Sequence, residues 1–167
     1  EWDQNPTAAT PTAYQPVLGN ATATAANPGG PAVMAGITLK NLYFVNNYFP
    51  MKLASVGPVS EVYNIQGNPL FTGLLVDGLT DVIHIHEMKW HVSWQEAEDD
   101  VNQNILKWMS ANRTCFSFGR ADEVQVHDLF CFAGKVGIQF FNGVISGAAG
   151  GTYGRFTNIG KYFHKCG

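Results

Sequence analysis

The chain has 167 residues, of which 46% are apolar, 13% aromatic and only 14% charged. Soluble domains usually carry about 25% charged residues, and helical proteins place many of theirs on wet faces, so this composition favours a β-rich protein. The net charge of −3, with no cluster of Lys or Arg, excludes nucleic-acid binding through a basic patch. No apolar run reaches the roughly 18 residues that a membrane span needs, so we expect no membrane span.

The first 35 residues are predicted to form an extended arm. No charged residue lies between Asp3 and Lys40, and prolines interrupt any helix. The composition is dominated by Ala, Thr, Pro, Asn and Gly, which cannot build a core. We expect the arm over 1–35 to dock on its own domain or on a neighbouring subunit, as an added strand does. A single β-rich domain is expected over 36–167.

Short segments rich in β-branched and aromatic residues follow one another, separated by turn signals every 8–12 residues. Predicted strands occupy 37–45, 61–66, 70–76, 81–93, 114–118, 124–132, 136–141, 144–146, 152–157 and 161–164. Asn142-Gly143 is a strong hairpin signal between two of them. The sequence shows no internal repeat. The predicted fold class is mainly β, an antiparallel sandwich, jelly roll or barrel with one helix.

The single predicted helix covers about 95–110. Ser93 and Glu96 are spaced as a capping box, and acidic residues crowd the first turns. Apolar residues then recur on one face, at Val101, Ile105, Trp108 and Met109.

Three of the five histidines lie in the strand predicted over 81–93. In a regular strand His84 and His86 share one face and His91 takes the other. The apolar residues change face halfway along, which predicts a β-bulge near His86-Glu87. The bulge would create one core face from residues 83, 85, 88, 90 and 92 and leave the histidines on the polar side. His84, His86 and His91 are therefore the candidate metal ligands, with a surface cluster or a pH-responsive contact as the alternatives.

Gly78, followed after five residues by His84-Ile85-His86, resembles the start of the first cupin motif. The resemblance covers nine residues and implies a metal-binding barrel. It does not extend to the glutamate that the motif places next, because Trp90 and His91 stand there, and the second motif does not follow.

The remaining chemistry-bearing residues give weaker signals. His127 and Asp128 are adjacent in a predicted strand, so we expect their side chains to face opposite ways. Among three cysteines, Cys115 and Cys131 are the candidate disulfide, with three reduced thiols as the alternative. The sequons Asn20-Ala21-Thr22 and Asn112-Arg113-Thr114 make Asn20 and Asn112 candidate glycosylation sites.

The low charge, the many aromatics and the lack of a catalytic motif favour a non-enzymatic structural subunit. We expect it to self-assemble into an extracellular or viral-type particle or filament, with the arm docked on a neighbour. The alternatives are a secreted, lectin-like β-sandwich that binds glycans and a cupin-like metal-binding barrel without other cofactors.

Overall fold

The protein is described by a computed structural model, which covers residues 18–19, 36–54, 60–92, 99–145 and 148–162. Most of the arm, Asn20 and Cys166 lie outside these ranges. The strands are β1 (Leu18–Gly19), β2 (Thr38–Phe44), β3 (Met51–Ala54), β4 (Ser60–Gly67), β5 (Thr72–Asp77), β6 (Leu79–Trp90), β7 (Thr114–Phe118), β8 (Ala121–Phe132), β9 (Val136–Phe140), β10 (Gly143–Ile145), β11 (Ala148–Gly150) and β12 (Thr152–Tyr162), and the helix is α1 (Asp99–Asn112).

The chain winds as a parallel solenoid of two sheets. One sheet has the order β12-β8-β6-β4-β2. We call it the bent sheet, because a left-handed residue bends each of its strands. The second sheet has the order β1-β3-β5-β7-β9. All neighbours in both sheets are parallel, and among the described strands only the small β10-β11 pair is antiparallel. We call one bent-sheet strand and the second-sheet strand that follows it a rung. The prediction of an antiparallel sandwich, jelly roll or barrel is therefore wrong.

The error came from the turns, which connect strands of different sheets rather than the arms of hairpins. Met51 pairs with Leu74, and Glu61 pairs with His84, each 23 residues further along the chain. The Asn142-Gly143 hairpin does not form, because β9 pairs with β7 and Gly143 opens β10. A structural repeat thus exists although the sequence shows none.

Most of the core consists of columns of inward side chains that run from rung to rung. One column runs through Leu39, Val62, Ile85, Val126 and Phe156. A second runs through Leu42, Ile65, Met88, Leu129 and Ile159. The middle members of both are buried, whereas those at the two ends are only partly covered.

The predicted helix is present as α1, an excursion between β6 and β7. It extends two residues beyond the predicted end, and residues 93–98 at the predicted start lie outside the described chain. Ile105 and Met109 are buried against Leu70, Val92 and Ala133. Burying such a side chain contributes about 1.5–3 kcal/mol, so this contact fixes the helix on the solenoid.

A buried arginine joins two rungs just after α1. Arg113 is fully buried, and its Nη1 donates a hydrogen bond of 3.1 Å to the carbonyl of Pro69. Its Nη2 donates to the carbonyls of Phe132 and Ala133. Burial lowers the pKa of Arg113 to about 9, and the carbonyl groups compensate the guanidinium for lost water.

Cys115 of β7 and Cys131 of β8 form a disulfide, with Cα atoms 6.3 Å apart. Both cysteines are buried in the core. The bond links the second sheet to the bent sheet across neighbouring rungs, beside the turn that Arg113 binds.

Candidate functional site

A column of left-handed residues bends every strand of the bent sheet at the same place. Asn41, Asn64, Glu87, Asp128 and Asn158 have φ angles between 51° and 57°, and the strand registers place them side by side. We call them the corner column. Asn and Asp tolerate this conformation because their short side chains hydrogen-bond locally.

The corner explains the change of face in the histidine strand. Ile83 and Ile85 before it, and Met88, Trp90 and Val92 after it, are all buried, as predicted. The neighbouring strands bend at the matching residues, so no extra residue interrupts the pairing of β6 with β4 and β8 there. The single core face is confirmed, but its cause is a corner shared by the rungs rather than the predicted bulge.

Just before the corner, rings stack along the outer face of the sheet. His86 lies between Tyr63 and His127, with centroid distances of 5.1 Å and 4.7 Å and nearly parallel planes. His86 Nε2 lies 3.3 Å from Glu61 Oε1. A metal ion lies in the plane of the imidazole that binds it, so two rings stacked face to face do not direct their nitrogen lone pairs at one ion.

The three candidate metal ligands occupy different positions. His84 is exposed and lies between Glu61 and Gln125 in the sheet. His86 belongs to the ring stack, and His91 lies beyond the corner, where it stacks on Phe132 at 5.1 Å. In the part of the chain that the structure describes, no three His, Cys, Asp or Glu residues are grouped as a metal site.

His127 and Asp128 do contact each other, contrary to the sequence prediction. Nδ1 of His127 lies 2.8 Å from Oδ2 of Asp128. The prediction assumed a regular strand, whereas the left-handed conformation of Asp128 turns its side chain toward its neighbour. Asn158 also donates to Asp128. These hydrogen bonds, first that from His127 and then that from Asn158, hold the pKa of Asp128 below its usual value.

An open groove of about 380 Å³ runs along the corner column on the outer surface. Its lining combines amides, carboxylates, an ammonium group and an aromatic ring. The lining residues are Asn64, Glu87, Lys89, Asp128, Leu129, Phe130, Asn158 and Gly160. They come from β4, β6, β8 and β12, four consecutive strands of the bent sheet.

The sequence pattern placed Lys89 on the polar face of the histidine strand, but most of the groove was not predicted, including Asn64, Phe130 and Asn158. A signal for it was available in the residues themselves. In the histidine strand, the alternation of apolar residues changes from odd to even positions at Glu87. In the preceding strand, it changes from even to odd positions at Asn64, between Val62 and Ile65. That pattern marks a corner, and corners aligned by parallel pairing form a polar column.

Comparison with known proteins gives no relative: no family model, curated protein or solved structure matches the chain.

Of the two candidate glycosylation sites, only Asn112 is described. It is exposed at the end of α1, and its amide donates to the carbonyl of Trp108 at 2.8 Å. Its glycosylation stays a prediction. Within the described residues, no helix is long and apolar enough to cross a membrane.

Proposed function

We propose that the protein is a glycan-binding module whose site is the groove along the corner column. The observation that carries the proposal is the composition of the groove wall, which includes two amides, two carboxylates and one aromatic ring. A sugar hydroxyl both donates and accepts hydrogen bonds, so it needs both kinds of group close together. The volume of about 380 Å³ lies within the range of small-molecule sites.

The groups of the groove have complementary roles toward a sugar. The amides of Asn64 and Asn158 each use one N–H within the protein, toward Asn41 and Asp128 respectively, and keep a second N–H and a carbonyl lone pair for a hydroxyl group. The carboxylates of Glu87 and Asp128 also line the groove and accept from hydroxyl groups. Phe130 provides an apolar surface for a C–H face of the ring. Asp128 is ionised at neutral pH like an ordinary aspartate, so its carboxylate is a hydrogen-bond acceptor, and its lowered pKa extends this state to more acidic pH.

The test is a glycan array followed by calorimetry with the glycans that bind. Asn158→Gly removes a groove amide but keeps a residue that adopts the left-handed conformation without strain. Loss of one hydrogen bond of about 1 kcal/mol should weaken binding roughly fivefold. Ala133→Gly is the matched control, because Ala133 has the same left-handed conformation but does not line the groove. Absence of any bound glycan at millimolar concentration would contradict the proposal.

A second candidate, a self-assembling structural subunit, is favoured by the ends of the solenoid. In the described chain, β2 and β12 each pair on one side only, and the core columns end there in partly covered apolar residues. Phe140 and Tyr153 at the β12 end are 57% and 65% exposed. Parallel edges of this kind, which no described strand covers, suit head-to-tail stacking of copies into a filament.

The described part of the arm bears on this candidate. Leu18–Gly19 adds as β1 to the edge of β3 in its own chain, so in our proposal the stacking surfaces, rather than the arm, join neighbours. Light scattering across a range of concentrations tests it. Ile159→Lys at the β12 edge should abolish a concentration-dependent mass, whereas Phe71→Lys should not, although both residues are 38% exposed. A constant monomer mass for the unmodified chain would exclude the filament.

The buried disulfide supports an extracellular or virion location for either candidate, because disulfides persist in oxidising compartments. Purification from its native source under thiol-blocking conditions, followed by mass analysis of Cys115 and Cys131, tests the location. Two blocked, unpaired thiols would argue against it.

A further inference from the structure

The direction of the groove specifies its ligand further. The lining residues lie on four neighbouring strands of the bent sheet. Neighbouring strands are about 4.8 Å apart, so the groove extends roughly 14 Å across them. It therefore runs along the axis of the solenoid, and each of these four strands contributes one corner residue to it.

Each corner residue presents a polar group at the same position of its rung. Asn64, Glu87, Asp128 and Asn158 thus form a row of hydrogen-bonding groups about 4.8 Å apart. A single sugar can reach only part of such a row, whereas an extended chain meets a new polar group at every rung. Resting on the glycan-binding function proposed above, we infer that the ligand is an extended polysaccharide of neutral or amino sugars, lying along the solenoid axis.

The charges of the groove favour this class over acidic polysaccharides. The lining contains two carboxylates, those of Glu87 and Asp128, and one ammonium group, that of Lys89. His127 and Asn158 both hydrogen-bond Asp128, and these bonds stabilise its ionised form. A uronic acid chain would bring further carboxylates against this row, where like charges repel. A hydroxyl or an ammonium group on the sugar would instead donate to it.

Glu87 provides an independent reason to assign a role to the carboxylates. The four other corner residues are Asn or Asp, which suit the left-handed conformation, whereas Glu gains no such local hydrogen bond. A strained residue that persists in a binding groove points to a function for its side chain. We therefore place the Glu87 carboxylate in contact with the bound chain.

The experiment measures affinity against chain length by calorimetry. The probes are chito-oligosaccharides, cello-oligosaccharides, chitosan oligosaccharides and oligogalacturonates of one to eight units. For at least one neutral or amino series, we expect affinity to rise at least tenfold between the monosaccharide and the tetrasaccharide and then to level off. Oligogalacturonates should bind at least tenfold more weakly than that series, and Glu87→Gln should narrow the difference.

A pair of glycine variants tests the position of the chain. A Cβ at Gly160 would lie 3.2 Å from the ring of Phe130 at the β12 end of the groove, whereas a Cβ at Gly151 would meet nothing within 4 Å. Gly160→Leu should reduce the gain in affinity with chain length, and Gly151→Leu should leave it unchanged. Gly160→Ala, with a smaller obstruction, should give an intermediate effect if the larger variant does not fold.

The outcomes separate the two proposals. Equal affinity for mono- and tetrasaccharides would overturn the extended ligand while leaving glycan binding in place. Oligogalacturonates that bind as tightly as the best neutral or amino series would overturn the charge preference. No binding by any probe, together with an empty glycan array, would overturn the glycan-binding function itself.

Discussion

Replacing Glu87 by Asn should stabilise the protein, because Glu87 is the corner residue least suited to its backbone. Its φ is 54°, and the left-handed conformation costs an ordinary L-residue about 1–2 kcal/mol. Asn recovers part of this cost through local hydrogen bonding, so we expect a gain of about 0.5–1 kcal/mol. For a chain of this size, that corresponds to a rise of roughly 1–4 °C in Tm.

Urea denaturation followed by circular dichroism measures this change. The midpoint should rise for Glu87→Asn while the m-value stays constant, since the exposed area on unfolding is unchanged. Glu123→Asn is the matched control: Glu123 lies in β8 outside the corner and accepts a hydrogen bond from Gln125, and Asn is disfavoured in regular strands. That variant should be less stable than the unmodified protein. A midpoint for Glu87→Asn at or below the unmodified value would refute the argument from strain.

Three further predictions concern the buried groups around α1 and β8. Replacing Cys115 and Cys131 together by Ala should cost about 3 kcal/mol of unfolding free energy, from the loop that their bond closes; a loss below 1 kcal/mol in urea titrations would contradict this. Arg113→Met leaves buried carbonyls unpaired at about 1–3 kcal/mol each, so calorimetry should show a markedly lower Tm, and an unchanged Tm would disprove the role of the guanidinium. Burial, and then the charge of Arg113, lowers the pKa of His91, so its stabilising contribution is complete above the unfolded pKa of about 6.5 and is lost as the pH falls through the lower folded value. His91→Phe should reduce the loss of stability between pH 7.5 and 5; an identical pH profile would contradict this.

Local features of the fold were predictable because they depend on neighbouring residues. The shift from Ile83 and Ile85 to Met88 and Trp90 required both halves of β6 to face the core, and both do. The spacing of apolar residues likewise placed α1 within a few residues of its position. The alternation of apolar and polar residues along one segment is sufficient to show which of its side chains are buried.

Strand pairing was not predictable, because alternation is the same in parallel and antiparallel strands that bury one face. The 23-residue step was also hidden. Inward positions accept different apolar residues, such as Val62, Ile85 and Phe156 in one column, so the rungs share little sequence. The excursion that contains α1 increases the step between His84 and Gln125 to 41 residues, which removes the regular spacing. The groove forms only when parallel pairing places the corner residues side by side. Because the pairing was not predicted, the groove was not predicted either.

Because all strands of the bent sheet bend at the corner column, the path of the main chain does not depend on which side chains the corner carries. Any residue that tolerates the left-handed conformation can occupy a corner, and the strands on either side keep their register because the neighbours bend identically. The groove thus behaves as a row of interchangeable positions. An amide, a carboxylate or a bare glycine can be installed strand by strand, so that the chemistry of the groove can be changed without redesigning the fold.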